Sequence, residues 1–454
     1  MSETSTKPTQ EILVELITIG REILDGRVVD TNSIVMAETL RSQGLVVRFA
    51  QKVDDSIDRI VDAFTIANGR ADYVIVSGGL GPTADDLTAE AMAQFLASPL
   101  EQNPSVLDHL KEFFSKRGAV LTPTQEKQTY FPQSAEILPN TVGTAAGFTV
   151  KASRAQFFVL PGVPIEMQPM LVNEVLPRLP RKEGYRSQSW ATQFTSEGGL
   201  QDALAPVYKN LPEGFEITYR TRFPENHIGL HGWCFDSRRD YAFQKLTVEI
   251  ENILVNYNMF AKTQNSGVFE TLQSLEQVVV EALVGCEGVV VTVESCTGGQ
   301  VATRLTEVAG SSKVFWGSFV TYDNSAKTQL GVLADDLIQH GAVSQVVAES
   351  LASCALERLK NSVESEAFKY ISKPRYLFSV STTGIAGPGG GTEKKPVGLC
   401  HIALAVYDLN AKTQVIVHEE VRGRSGLDRR RLRELFSQRA LNLILQQTKK
   451  YASR

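Results

Sequence analysis

The stretch EGVVVTVESCTGG, residues 287–299, runs from an apolar β-branched segment, Val289 to Val293, directly into a turn with two glycines. Beyond the turn, Val301, Leu305 and Val308 recur at helical spacing. Strand, glycine turn and helix N-terminus in that order form the unit of an α/β layer with a mostly parallel sheet. Binding crevices in such layers open beyond the carboxyl ends of the strands.

The same rhythm recurs on both sides. Downstream it reappears in RYLFSVSTTGIAGPGGG (375–391) and LCHIALAVYD (399–408), and upstream in ILVELITIG (12–20), DYVIVSGGLG (72–81) and QFFVLPGV (156–163). The pattern predicts two three-layer α/β domains with mostly parallel sheets, residues 11–175 and 270–450, joined by a small α+β domain at 188–260. LPRLPRKEGYRS (176–187) interrupts the first, and AKTQNSG (261–267) reads as a linker. In the middle region, Ala242, Leu246, Ile250 and Ile253 mark a helix face that reads as core. Residues 1–10 are polar and read as a disordered tail.

The chain has 454 residues, 43% of them apolar, enough for more than one core. Its formal charge of −5 leaves no general excess of cations, so direct nucleic-acid binding is not expected. One dense basic run is the exception: Arg422, Arg424, Arg429, Arg430, Arg431 and Arg433 can hold an anion or form a solvated helix face. Five scattered cysteines without metal-ligand spacing fit a reduced cytoplasmic setting. The N-terminus lacks a signal-peptide core, and no apolar run is long enough to suggest a membrane segment.

The turn Glu294-Ser295-Cys296-Thr297-Gly298-Gly299 offers small hydroxyls where backbone N–H groups and a helix dipole can support an oxyanion or a phosphate. Ser295 and Thr297 can equally be helix caps. Further clusters add weight to the chemical reading. Tyr322 and Lys327 are residue types that can take a serine proton in place of histidine. The run from Thr383 and Gly384 through Gly387 to Thr392 allows close backbone approach to an anion. In the first domain, Gly78, Gly79, Gly81 and Thr83 follow a strand and lead to Asp85 and Asp86. The glycines suit phosphate, and the paired carboxylates suit either a divalent cation or a helix start. Asp30, Thr31 and Asn32 gather more polar groups after the first strand.

ESCTGG, TY-x-N-x-x-K, TGIAGP-x-GGT and KPVG, in this order over residues 285–445, resemble the C-terminal domain of the CinA (competence/damage-inducible) family. That domain is similar to nicotinamide mononucleotide deamidase. The resemblance implies Ser295 as nucleophile on the carboxamide carbon, with Tyr322 and Lys327 activating it and Thr383 helping to hold the site. Thr297, Gly298, Gly299, Gly384 and Gly387 would line the substrate, and Arg429 would contact its phosphate, with Arg424 or Arg433 as alternatives. No cofactor is implied there. Asp323 and Ser325 depart from the usual Ser and Glu, and 361–377 reads as an insertion.

Gly20-Arg21-Glu22, the 77–88 motif, Pro139-Asn140 and LPGVP-x-EM (160–167) resemble the family's molybdopterin-binding-like domain. The resemblance implies metal-dependent hydrolysis of ADP-ribose to AMP and ribose 5-phosphate. Asp30, Thr31, Asn32 and the glycine turn would bind substrate, and Asp85 and Asp86 would bind Mg or Co, with potassium as a further ion. Arg21 replaces a common Asp and brings a positive charge toward the expected phosphate site; Ala84 and Ala146 replace prolines. A homodimer is implied as well. Two other readings stand beside this one: a deamidase whose first domain only binds a nucleotide or pterin, and an interaction protein of competence or recombination without turnover.

Overall fold

The computed structural model describes residues 12–180, 184–266, 269–365 and 374–451. The expected tail at 1–10 and part of the expected insertion at 361–377 lie outside these residues. The described residues fall into two compact units, each treated separately below. No helix among them is long and apolar enough to cross a membrane.

The first unit spans residues up to 186, with two short returns of chain. Its elements are β1 (Val14–Ile19), α1 (Asn32–Ser42), β2 (Val47–Val53), α2 (Ile57–Arg70), β3 (Tyr73–Ser77), α3 (Thr88–Leu96), β4 (Glu136–Leu138), β5 (Gly147–Lys151), β6 (Gln156–Leu160) and α4 (Pro164–Met170). The sheet order is β2-β1-β3-β6-β5-β4. The first four strands are parallel, and β5 and β4 add an antiparallel edge.

Strand periodicity divides the apolar residues between the two faces. Ile17, Val74, Val76 and Phe157 meet Ile60 and Phe64 of α2. Leu16, Ile75 and Phe158 meet Met36 and Leu40 of α1 and Met167 of α4. That makes three layers, and each large buried side chain contributes about 1.5–3 kcal/mol.

The second unit contains residues 187–232, 237–265 and 270–454, so most of the expected small domain groups with the C-terminal one. Its first part has β7 (Tyr185–Gln193), β8 (Phe215–Arg222), β9 (Glu225–Trp233), α5 (Ser237–Leu254) and β10 (Ala261–Lys262), with sheet order β8-β9-β7-β10. The buried face of α5 is Phe243, Leu246, Ile250 and Leu254, one position off the expected Ala242 and Ile253 at its ends. The stretch read as a linker begins inside the sheet: Ala261 and Lys262 pair with Ala191 and Trp190.

The remainder contains α6 (Leu275–Gly285), β11 (Gly288–Glu294), α7 (Gln300–Thr306), β12 (Phe315–Val320), α8 (Asn324–Leu330), α9 (Gln345–Glu364), β13 (Tyr376–Gly384), β14 (Leu399–Asp408), β15 (Thr413–Arg422) and α10 (Arg429–Tyr451). A capping box starts α6: Ser274 accepts from Gln277 N–H, and the Gln277 side chain accepts from Ser274 N–H. The sheet order is β12-β11-β13-β14-β15. The first three strands are parallel. The last two continue antiparallel, and residues 409–412 between β14 and β15 allow only a tight reversal. Helix α9 covers Val289, Val291, Val293 and Leu377, while α6 and α10 cover Val290, Phe378 and Val380 on the other face.

A buried polar network ties α10 to the small sheet. Gln438 Nε2 donates to Gln193 Oε1 (3.0 Å) and Glu225 Oε1 (2.9 Å), and Gln193 Nε2 donates to Asn442 Oδ1 (2.6 Å). Arg304 of α7 joins it, donating to Gln438 Oε1 (2.7 Å) and Glu276 Oε2 (2.8 Å).

Candidate active sites

In the second unit, register brings the motif residues together. Glu294, last in β11, pairs with Val320 of β12 and Thr382 of β13. The chain then leaves the sheet: Ser295 N–H donates to Thr382 O (3.0 Å), and Thr321 N–H donates to Glu294 O (2.9 Å). Ser295 thus stands at the carboxyl edge, between the ends of its two neighbouring strands. Its side chain is largely buried, and its hydroxyl has no hydrogen-bond partner among the described residues.

Neither Ser295 nor Thr297 is a helix cap. Helix α7 begins after Gly299, whose φ of 92° suits glycine, and no side chain of the N-cap residue is used. The buried carboxylate of Glu294 folds back onto the helix start instead. It accepts from Gly299 N–H (2.9 Å), Val301 N–H (3.0 Å) and Ala302 N–H (2.8 Å). The expectation that this helix N-terminus supports an oxyanion or phosphate is therefore corrected, since its amides already serve a carboxylate. The amides of Cys296, Thr297 and Gly298 are different: none has an acceptor among the described residues. They follow Ser295 directly in the turn. Thr297 Oγ1 lies 2.7 Å from Thr382 Oγ1, bracing the turn on β13.

Lys327 is buried in the last turn of α8, and two donors of its amine are committed to Thr321 O (2.8 Å) and Tyr322 O (3.1 Å). Burial pushes its pKa down, against the opposing influence of Asp323 and Cys296. A neutral amine with both N–H groups so engaged keeps its lone pair free to accept a proton. Tyr322 is 62% exposed, and its phenol oxygen accepts from Arg429 (3.0 Å). Neither Tyr322 nor Lys327 hydrogen-bonds Ser295 Oγ.

Arg429 also donates to Gly387 O (2.7 Å), tying the glycine loop to α10. Arg433 donates to Thr297 O (2.7 Å). Arg433 thus contacts the turn itself and Arg429 the glycine loop and Tyr322, while both Arg424 and Arg429 are exposed. Thr383 is buried with its hydroxyl committed to Ala342 O (2.7 Å), and its neighbour Gly384 packs against Cys400.

The first unit has a cleft of 540 Å³ at the carboxyl ends of β1, β3 and β6. Asp30, Thr31, Asn32, Gly78, Gly79, Gly81, Asp85 and Asp86 line it, together with Glu22, Asp55 and Glu166. Gly78 has a φ of 112°, and a Cβ there would lie 2.1 Å from Ile19 O, so only glycine fits. Burial raises the pKa of Asp30, but hydrogen bonds from Ser33 and the charge of Lys52 outweigh it and hold the carboxyl below its usual value. Asn32 donates to Ser77 Oγ (2.9 Å) and Gly162 O (2.7 Å), while its buried Oδ1 has no partner.

Asp86 Oδ2 accepts from Thr83 N–H (2.8 Å) and Thr83 Oγ1 (2.6 Å), and Asp85 also accepts from the Thr83 hydroxyl. The pair thus shapes the turn before α3. Burial pushes the Asp55 carboxyl up, and the neighbouring charges of Glu22 and Asp85 add to it. Among the described residues, no three His, Cys, Asp or Glu side chains converge as a metal-binding group. The Arg21 guanidinium is 74% exposed, near Asp25 (3.9 Å), and is absent from the cleft lining. This corrects the expected intrusion of positive charge. The backbone explains it, since Arg21 N–H donates to Asp55 Oδ2 (2.9 Å) while the side chain points outward.

Two residues outside the cleft lining hold groups that form it. Lys127 donates to Thr83 O (3.0 Å) and Asp86 O (2.6 Å), clasping the acidic turn from 41 residues away. Asn140 donates to Glu166 Oε2 (2.7 Å).

Residues 15–181 match the family described as probable molybdopterin binding domain, and residues 272–448 match the CinA C-terminal domain. A CinA-like protein of Anaeromyxobacter dehalogenans is 38% identical over 95% of this chain and 98% of its own length. A putative competence-damage inducible protein of Caldicellulosiruptor bescii is 34% identical over the same shares. Among solved structures, the protein CinA with unknown function from Thermoplasma acidophilum is 36% identical over 37% of this chain and 98% of that one, at a TM-score of 0.35.

Proposed function

This chain belongs to the CinA family, and from that premise we propose that its C-terminal domain hydrolyses the carboxamide of nicotinamide mononucleotide, giving nicotinic acid mononucleotide and ammonia. The observation that carries the reading is Lys327, a buried amine whose pKa burial lowers and which donates to carbonyls of the strand end next to Ser295. In its neutral form it takes the Ser295 proton as Oγ attacks the carboxamide carbon. The amides of Cys296, Thr297 and Gly298 receive the developing oxyanion. Ammonia leaves with a returned proton, and water then cleaves the ester. Arg429 and Arg433 offer guanidinium groups to the substrate phosphate. Because Arg429 donates to the Tyr322 oxygen, the phenol proton stays available to donate. Purified protein incubated with nicotinamide mononucleotide should release ammonia, and Ser295→Ala should release none; retained release by that variant rejects the assignment.

For the first domain, the reading is hydrolysis of ADP-ribose to AMP and ribose 5-phosphate with a divalent metal. Its support is a cleft walled by carboxylates whose mutual repulsion helps raise Asp55, with the unpartnered Asn32 Oδ1 among them. These are hard oxygen donors, as Mg prefers, and an ion on Asp85 and Asp86 would complete its shell from phosphate and water. Bound there, an ion would supply charge neutralisation for phosphate hydrolysis. The outward Arg21 leaves the acidic wall intact. AMP release with Mg or Co, abolished by Asp86→Ala, is the expected result; no release from the unaltered protein would reduce the domain to a binding module.

A further inference from the structure

Cys296 follows the proposed nucleophile directly, and its sulfur lies 3.7 Å from that of Cys400. Both side chains are buried in the core that also holds Val301, Ala386 and Val421. Backbone pairing brings them together. The Ser295 amide anchors the turn to Thr382 at the end of β13, and Cys400 is the cross-strand partner of Gly384 on β14.

We infer that Cys296 and Cys400 are a reversible oxidation site, and that their disulfide displaces the Ser295 turn. The oxidant class is a peroxide. Cys296 is the more accessible of the two, whereas burial raises the Cys400 thiol well above its usual range and keeps it protonated. The Cys296 sulfur attacks a peroxide oxygen and the O–O bond breaks, leaving a sulfenic acid and one water. The Cys400 sulfur then attacks the Cys296 sulfur. An S–S bond forms, the S–O bond breaks, and hydroxide departs with the Cys400 proton as a second water. The two sulfurs lose two electrons in total, and the peroxide gains them.

The sulfurs must close from 3.7 Å to a bond of about 2 Å. Strand β14 is hydrogen-bonded on both sides, to β13 and β15, so the turn is the part that yields. A misplacement on the order of 1 Å at a nucleophile costs roughly 100-fold in rate. That consequence rests on the amidase reading; the cross-link and the movement of the turn do not.

The test treats the full chain with excess hydrogen peroxide, alkylates it, and reads peptides by mass. A linked Cys296–Cys400 peptide pair, two hydrogens lighter than the reduced pair, is expected. Hydrogen exchange at residues 295–302 should change with it, ammonia release should fall by about 100-fold, and dithiothreitol should reverse all three. Cys400→Val should keep turnover and resist peroxide. No linked peptide, unchanged exchange in the linked protein, or a Cys400→Val variant as peroxide-sensitive as the original would each overturn the inference. Untreated protein that releases no ammonia yet forms the link would reject the amidase reading alone.

Discussion

Replacing Glu294 with Gln changes almost no volume but removes the acceptor on which the nucleophile turn is built. Oε2 takes the Gly299 and Val301 amides and Oε1 takes that of Ala302. A Gln side chain can keep the first two bonds through its one carbonyl oxygen, at roughly half their charge-assisted strength. Its amide nitrogen then meets the Ala302 N–H donor to donor, stranding a buried group at a cost of about 1–3 kcal/mol. Together these terms come to about 3–5 kcal/mol, since bonds to a charged acceptor contribute about 1.5–3 kcal/mol each. With a urea dependence of about 2 kcal/mol/M, the midpoint of the second unit should drop by roughly 2 M. Followed by circular dichroism, that shift should accompany a roughly 100-fold loss of ammonia release as Ser295 moves by about 1 Å. A midpoint shift below about 0.3 M, within the range of neutral surface changes, with turnover intact would refute the argument that Glu294 holds the turn.

Other perturbations have equally definite signs. Lys327→Met should abolish ammonia release while the protein stays folded. Because burial lowers the Lys327 pKa, the unfolded chain binds the extra proton in the window between the lowered and the ordinary lysine values. Stability of the original protein should therefore rise with pH through that window, and Lys327→Met should lose the rise in melting scans. His401 Nδ1 and His418 Nε2 lie 3.0 Å apart, and burial holds both rings below the usual 6.5, with His418 adding to the effect on His401. Stability should therefore fall as pH drops below 6.5, and His418→Gln should flatten that slope in urea midpoints measured from pH 7 to 5. Gly78→Ala places a methyl 2.1 Å from a backbone carbonyl at positive φ. It should destabilise the first unit by at least about 2 kcal/mol and weaken nucleotide binding by calorimetry.

The strands were legible because β-branched runs such as Val289–Val293 and Val74–Val76 lead into glycine turns, and their burial on both faces reads as a continuous apolar run. Ser295 and the residues around it were legible as a cluster only through the resemblance; on local grounds Ser295 was as good a cap. What decides against capping is Glu294, whose carboxylate reaches residues five to eight positions on, a contact that depends on the chain reversing at Gly298 and Gly299. Lys127 was invisible for a related reason: it binds backbone carbonyls far away in the chain, and nothing in its local pattern marks it. Arg21 shows the converse error, in which its departure from the family pattern suggested an intrusion that side-chain direction removes.

The polar network on Gln438 bears on how this sequence can change over time. Each group in it satisfies another, so a single replacement strands a buried partner, whereas a concerted replacement by apolar side chains need not. Gln193, Glu225, Arg304, Gln438 and Asn442 are therefore expected to vary as a set among relatives. Any chimera that exchanges α10 without the facing strands should inherit mismatched donors and fold poorly, however well its apolar residues fit.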